Sequence, residues 1–368
     1  MKIKRILKWT ALTILIVLVV FIFIAYWTSS NDCNRYSLVP TNPMKAILSC
    51  EYGAENLHLR DIEKPTPANN EVLVRVRAAS VNPVDGHMIR GSWLGRAMSG
   101  LRKPKNTRFG TDFAGVVEAV GKDVTDFKSG DEVFGAKNGA VAEYICVKAD
   151  RAIVMKPSDI TFEQAGSVGV AGLTALQGLR DKGRIQAGQK VLINGASGGV
   201  GTFAVQIART YGADVTAVCS TRNIDLVKSL GADHVIDYTK EDFTKTDQHY
   251  DMIYDLVGNH SFSERRRILK PNGICVLAGI GGAGVHPETM GRIVRNFWNA
   301  FLSNFSNQKF VFYIAKLTKD DFGVLRDLMQ SGKVSPVIDR TYNLDQTADA
   351  VRYMEEGHAR GKVVVTID

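Results

Sequence analysis

The chain has 368 residues, 45% apolar and 23% charged, proportions that permit two globular domains with substantial cores. Its net charge of +8 is modest and spread along the sequence. No basic helix is interleaved with aromatics, which excludes nucleic acid as a partner.

Lys2, Lys4, Arg5 and Lys8 precede Thr10–Trp27, an uncharged apolar run of 18 residues. Such a run is just long enough to span a bilayer, and Trp9, Tyr26 and Trp27 stand where interfacial aromatics belong. It is longer than the apolar part of a signal peptide, and no small-x-small cleavage site closes it. Residues 1–28 are therefore predicted to be a basic stub and one transmembrane helix anchoring the protein in membrane lipid. Residues 29–43 form a polar linker. Four cations before the span place the N-terminus in the cytoplasm and export the rest. The five cysteines, Cys33, Cys50, Cys146, Cys219 and Cys275, point the other way, being odd in number and scattered, unlike a disulfide framework. The side on which the folded part stands is left open.

Met44–Ser49 and Glu71–Ala78 read as strands, with Glu63–Ala68 a loop between them. Phe113–Val120 and Ala142–Val147 add β segments, punctuated by Gly115, Gly121, Gly130 and Gly135. This predicts a compact β-rich domain. The basic loop carrying Arg96, Arg102, Lys103, Lys105 and Arg108 reads as solvated, with an anionic membrane surface or a cleft rim as the other reading. From Thr161 to Leu179 the pattern is helical.

Lys190–Ser220 reads as strand, glycine turn, helix and strand, a βαβ unit. Gly199-Val-Gly201-Thr-Phe-Ala204 fits G-x-G-x-x-G/A. On this pattern Gly199 permits the tight turn, Gly201 lets backbone approach a pyrophosphate, and Ala204 lets helix and strand pack closely. The positive end of the helix then faces the phosphates. After the second strand come Ser220, Thr221 and Arg222 in place of the usual carboxylate. A guanidinium and two hydroxyls can bond a 2′-phosphate, which favours NADPH over NADH.

The alternation continues with helices at Asn223–Leu230 and Ser261–Leu269 and strands at His234–Asp237, Asp251–Leu256 and Ile274–Ala278. This is a doubly wound α/β sheet, in which ligands bind beyond the carboxyl ends of the strands. Val257 and Gly258, with Gly279 and Ile280, should flank the nicotinamide. Met290–Phe305 carries apolar residues at helical spacing, read as packing on the core or as contact with a bilayer or greasy substrate. Helices at Asp320–Met329 and Ala348–Glu356 and a strand at Lys362–Ile367 complete the chain.

From Met44 to Asp368 the chain resembles the medium-chain dehydrogenase/reductase superfamily, specifically its zinc-free quinone oxidoreductase branch. The motifs are Ala79-Ser-Val-Asn82-Pro83-Val-Asp85, Gly110-Thr-Asp112-Phe-Ala-Gly115-Val-Val, Gly130-Asp131-Glu-Val133-Phe-Gly135 and Ala171-Gly-Leu-Thr174-Ala. Ala196-Ser-Gly-Gly-Val-Gly201, Gly231-Ala-Asp-His-Val-Ile-Asp-Tyr238 and Gly361-Lys-Val-Val-Val365 complete the set. The resemblance implies a GroES-like catalytic domain, residues 44–165 and 307–368, around a Rossmann domain, residues 166–306, and a homo-oligomer. It implies that Ser197, Gly198, Gly199, Val200 and Gly201 hold the pyrophosphate. Ser220, Arg222 and Tyr238 would meet the 2′-phosphate region, and Asn82 and Thr174 the nicotinamide end. Where zinc-dependent relatives carry ligands this chain has Asp85, Thr111 and Asp112, so no metal is expected.

Without a metal, a conjugated C=C or a quinone is the natural hydride acceptor, because its charge delocalises. NADPH-dependent reduction of an enone, enal or quinone is expected, with Asn82, Asp85 and His87 at the reacting end and His87 or bulk water as proton source. Metal-free alcohol or aldehyde oxidoreduction, and a non-catalytic NADPH-binding sensor or scaffold, are the alternatives.

Overall fold

The computed structural model describes residues 38–91, 96, 99–278 and 307–368, with isolated positions between 20 and 36 and at 291 and 298. Almost all of the predicted membrane anchor and of Met290–Phe305, and Gly279 and Ile280, lie outside the described residues. Among the described residues no helix is long and apolar enough to cross a membrane.

Two sheets organise the chain. The first is six-stranded and parallel: β8 (Lys190–Asn194), β9 (Asp214–Cys219), β10 (His234–Asp237), β11 (Tyr250–Asp255), β12 (Leu269–Ala278) and β13 (Lys309–Tyr313). Its order, β10-β9-β8-β11-β12-β13, reverses direction between β8 and β11, which opens a crevice beyond their carboxyl ends. Val191, Leu192 and Ile193 are fully buried, as a central strand covered on both faces requires. Helix α4 (Gly199–Thr210) presses Phe203, Ala204, Val205, Ile207 and Ala208 onto the sheet. Burying side chains such as Phe203, Val205 and Ile207 contributes about 1.5–3 kcal/mol each.

The second sheet is mostly antiparallel. It is built on β3 (Glu71–Val81), β4 (Asp112–Val120), β5 (Glu132–Ala136) and β7 (Ile153–Met155), with β6 (Tyr144–Lys148) paired to β3. The C-terminal strands β14 (Ile338–Asn343) and β15 (Lys362–Thr366) complete it, Val363–Thr366 pairing antiparallel with Ala78–Val81. The chain's end thus folds back onto its beginning, as the family resemblance implies. Helix α1 (Pro83–Ile89) leaves the end of β3, and a separate hairpin pairs β1 (Pro43–Ser49) with β2 (Leu57–Glu63).

Several expectations need correction. β13 pairs with β12, so the parallel sheet runs past the expected boundary after residue 306. The region Glu63–Ala68 is a loop only after Glu63. The β2 strand before it was missed because only Leu57 and Ile62 face inward, which leaves no alternation. The helical stretch from Thr161 is broken. α2 (Phe162–Ala165) stops at Gly166, α3 (Gly169–Gln177) restarts, and a π-helical turn follows over Gly178–Lys182. The glycine turn divides its work differently too. Gly195, at φ 86°, makes the left-handed turn, and an added Cβ at Gly201 would stand 2.1 Å from the Gly195 carbonyl oxygen. Gly201 therefore serves helix–turn packing. Finally, Cys33 and Cys50 form a disulfide, while Cys146, Cys219 and Cys275 are free and buried. The pairing shows one disulfide among cysteines whose number and scatter do not read as a disulfide framework, and ties the 29–43 linker to the end of β1.

Candidate functional site

The glycine turn between β8 and α4 lies at the switch point. The first-turn N–H groups of a helix have no partner four residues back, so Gly199, Val200 and Gly201 present donors at the positive end of the helix dipole. A Cβ on Gly198 would meet only the Gly195 carbonyl oxygen, at 3.5 Å, and one on Gly258 (φ 69°) would meet nothing within 4 Å. Backbone can be approached closely at both places. These open glycines and the helix N-terminus fit a dinucleotide pyrophosphate.

Asn223 sets the far side of the turn. Its Nδ2 donates to Ser197 Oγ at 2.9 Å and to Ser220 Oγ at 3.3 Å, joining the turn to the end of β9. Thr221 is not available as expected, because its hydroxyl is bonded to Asp237 at the end of β10. Hydrogen bonds from Thr221 and Thr239 hold the Asp237 carboxyl down to about 2. Arg222 Nη2 donates to the His358 carbonyl at 2.7 Å and so bridges to the loop before β15. Tyr238 is 58% exposed and borders an open recess of about 360 Å³ with Lys240, Asp242, Asn259 and His260.

Val257 and Gly258 are held by one carboxylate. Asp255 Oδ1 accepts from Asn194 Nδ2 (2.9 Å), Val257 N (3.1 Å) and Gly258 N (2.9 Å), while Oδ2 lies 2.8 Å from Arg265 Nε. Both side chains of that ion pair are fully buried. Arg265 sits in helix α6 (Phe262–Arg267) within the run Glu264-Arg-Arg-Arg267, which in sequence looks like a solvated face.

The expected catalytic residues separate into two groups. Asn82 and Asp85 join a buried polar cluster at the junction of the sheets. Asp85 caps α1, its Oδ2 accepting from Asn82 N at 2.9 Å and its Oδ1 from Thr111 Oγ1 at 3.1 Å. Asp112 Oδ2 accepts from Ser80 Oγ (2.8 Å) and Asn82 Nδ2 (2.9 Å), and its Oδ1 from Val170 N (2.8 Å) at the start of α3. Lys362 Nζ donates to Asn82 Oδ1 and lies 3.8 Å from Asp112 Oδ2. The Lys362 stem passes Gly199, where an added Cβ would meet its Cδ at 3.1 Å. Burial and the neighbouring Asp112 raise the Asp85 carboxyl to about 7, and burial lowers the Lys362 ammonium.

His87 is buried elsewhere on α1. Its pKa is lowered by burial, with Glu355 of helix α8 (Thr347–Glu355) opposing. Thr174 bonds back to the Val170 carbonyl, and its own carbonyl accepts from the hydroxyls of Tyr254 and Tyr313. Lys362 was missed because, in sequence, it is only the first residue of a β-strand. The one available signal was a lysine ahead of a run of valines that had to be buried.

Comparison with known proteins agrees with this geometry. Residues 68–158 match the alcohol dehydrogenase GroES-like domain and residues 230–365 the zinc-binding dehydrogenase family. A mitochondrial NAD(P)H oxidoreductase of Mus musculus, RTN4IP1, is 33% identical over 85% of each chain. The chain belongs to the medium-chain dehydrogenase/reductase superfamily. It is an oxidoreductase with a nicotinamide cofactor. A chloroplastic NADPH-dependent alkenal/one oxidoreductase of Arabidopsis thaliana is 34% identical over 88% of this chain and 79% of its own. The solved quinone oxidoreductase from Coxiella burnetii superposes with a TM-score of 0.77 at 29% identity, covering 89% of this chain and 100% of its own.

Although one matching family is described as zinc-binding, the donor set at the cluster does not fit the metal. Asp85, Thr111 and Asp112 are engaged with one another's neighbours and with backbone. Among the described residues no three His, Cys, Asp or Glu side chains group as ligands.

The Asp85 shift has a measurable consequence. Its folded pKa, about 7, lies above the ordinary aspartate value of 3.8, so between these values the unfolded chain releases a proton that the native chain keeps. Asp85 therefore subtracts stability as pH rises through that window and nothing further above it. Asp85→Asn should gain stability relative to the parent between about pH 4 and 7, measured by urea unfolding. A pH-independent difference would contradict the assignment.

Proposed function

We propose that this chain is a membrane-anchored, zinc-independent reductase that delivers hydride from NADPH to a conjugated enone or enal, or to a quinone. The observation that carries the reading is the state of the donor set at the junction. The side chains where zinc-dependent relatives carry ligands are hydrogen-bonded within the fold, which favours a reaction whose developing charge needs no Lewis acid. Conjugated acceptors meet that condition by spreading charge into an enolate or quinol oxygen. The names of the similar proteins, an alkenal/one oxidoreductase and a quinone oxidoreductase, support the same class.

NADPH supplies the hydride when bound. Ser197, Gly198, Gly199, Val200 and Gly201 would hold its pyrophosphate through backbone donors. Ser220, Arg222 and Tyr238 would read the 2′-phosphate end, with Arg222 leaving the His358 carbonyl to do so. Val257 and Gly258, fixed by Asp255, would border the nicotinamide. Asn82, Asp85 and Lys362 position these surfaces from beneath. His87, neutral and buried, leaves water as the proton source for the enolate.

The anchored reading rests on the apolar run Thr10–Trp27 with its basic flank. Two measurements test the chemistry. NADPH oxidation should be fast with trans-2-alkenals or 1,2-naphthoquinone, and NADP+ reduction by simple alcohols should be absent; activity confined to alcohols would reject the reading. Arg222→Ala should weaken NADPH binding at least tenfold, about 1.4 kcal/mol or more, and leave NADH nearly unchanged. Equal losses would remove Arg222 from the 2′-phosphate.

A further inference from the structure

The Cys33–Cys50 disulfide bears on the side of the membrane that the sequence leaves open. We propose that the folded part of the chain stands across the bilayer from its N-terminus, in an oxidising compartment, with this disulfide fastening it close to the membrane surface. The proposal rests on the anchored reading above.

Three observations converge. Four cations precede the apolar run, whereas residues 28–43 carry only Asp32 and Arg35, so the charge bias retains the N-terminus on the cytoplasmic side. Disulfides persist in oxidising compartments and are scarce in reducing ones, and Cys33 is paired with Cys50. The remaining thiols are those an oxidant can leave alone. Cys146, Cys219 and Cys275 are buried, and burial pushes their pKa values up to about 11, 11 and 12. Reactivity follows the thiolate, so none of the three competes for pairing. The charge bias and the thiol pattern are independent, and they give the same side.

The bridge also shortens the tether. Cys33 follows Trp27 by six positions, a reach of at most about 20 Å, whereas the linker to Pro43 would allow about 55 Å. Asn31 strengthens the fastening, its Nδ2 donating to the Cys50 carbonyl at 2.7 Å. Next to this point lies the basic loop. Thr107 accepts from Ser49 N at 2.7 Å, and Lys103 Nζ is 3.6 Å from Glu51. Closing the bridge removes two electrons and two protons from the two thiols. A disulfide-donor protein takes them up by exchange and becomes a dithiol. The proposal requires nicotinamide nucleotide on the same side, as a local pool or carried in with the folded chain.

The full chain with a C-terminal tag, expressed in bacteria and converted to spheroplasts, tests this. External protease should remove the tag without detergent. N-ethylmaleimide added before and through denaturing lysis should cap Cys146, Cys219 and Cys275 but leave Cys33 and Cys50 unmodified, so that reduction and a polyethylene glycol maleimide then add two labels. Cys33→Ser should expose Cys50 to a membrane-impermeant maleimide in intact spheroplasts; if that variant fails to fold, the first two readouts still decide. A tag protected until detergent is added, or alkylation of Cys33 and Cys50 before reduction, overturns the proposal. An alkaline carbonate wash is a separate arm. Release of the protein there would sink the anchored reading, while the protease and thiol readouts still judge the side.

Discussion

A single buried ammonium ties this molecule together. Lys362 enters from the last strand, bonds Asn82 Oδ1 at the head of α1, approaches Asp112 at the head of α3, and lays its stem against Gly199 at the head of α4. Three helix N-termini and both sheets therefore depend on one side chain with 3% exposure. Removing one partner from such a buried charged group typically costs about 3–5 kcal/mol, because the other charge is left without compensation. The cluster explains why the chain's C-terminus must return to complete the first sheet. Without β15 there is no lysine between the catalytic-side loop and the dinucleotide crevice.

The same arrangement ties up the carboxylates at the junction in structural hydrogen bonds. Asp85 and Asp112 hold the starts of two helices, their oxygens accepting from Asn82 N, Thr111, Ser80, Asn82 Nδ2 and Val170 N. A third carboxylate, Asp255, fixes the backbone of Val257 and Gly258, and its charge is met by Arg265. The protein's contribution to hydride transfer is thus positional. Rigid, hydrogen-bonded backbone fixes where a cofactor can lie, and a conjugated acceptor carries its own means of spreading charge.

Much of this was legible in sequence. The parallel strands and the glycine turn follow from buried apolar runs and helical spacing, and the motifs at Asn82, Asp112 and Gly361 carry the family. What was not legible depends on contacts between distant residues. Nothing local distinguishes Lys362 from a solvated strand end, or Arg265 from its neighbours Arg266 and Arg267. Cys33 and Cys50 are 17 residues apart, and nothing local shows that they meet. The tight turn falls to Gly195 rather than Gly199 because a motif names spacing, whereas φ and close approach assign the work. Thr221 and Arg222 looked available for phosphate, yet Asp237 and the His358 carbonyl engage them.

The central claim is that NADPH lies across the N-terminus of α4 beside Lys362. Hydrogen–deuterium exchange of the full chain with and without NADPH tests it most directly. The account predicts protection concentrated at residues 195–202, 220–223 and 257–258, with the core strands β8 and β11 unchanged. Unaltered exchange in those segments at saturating NADPH, or protection confined to another face, would contradict it.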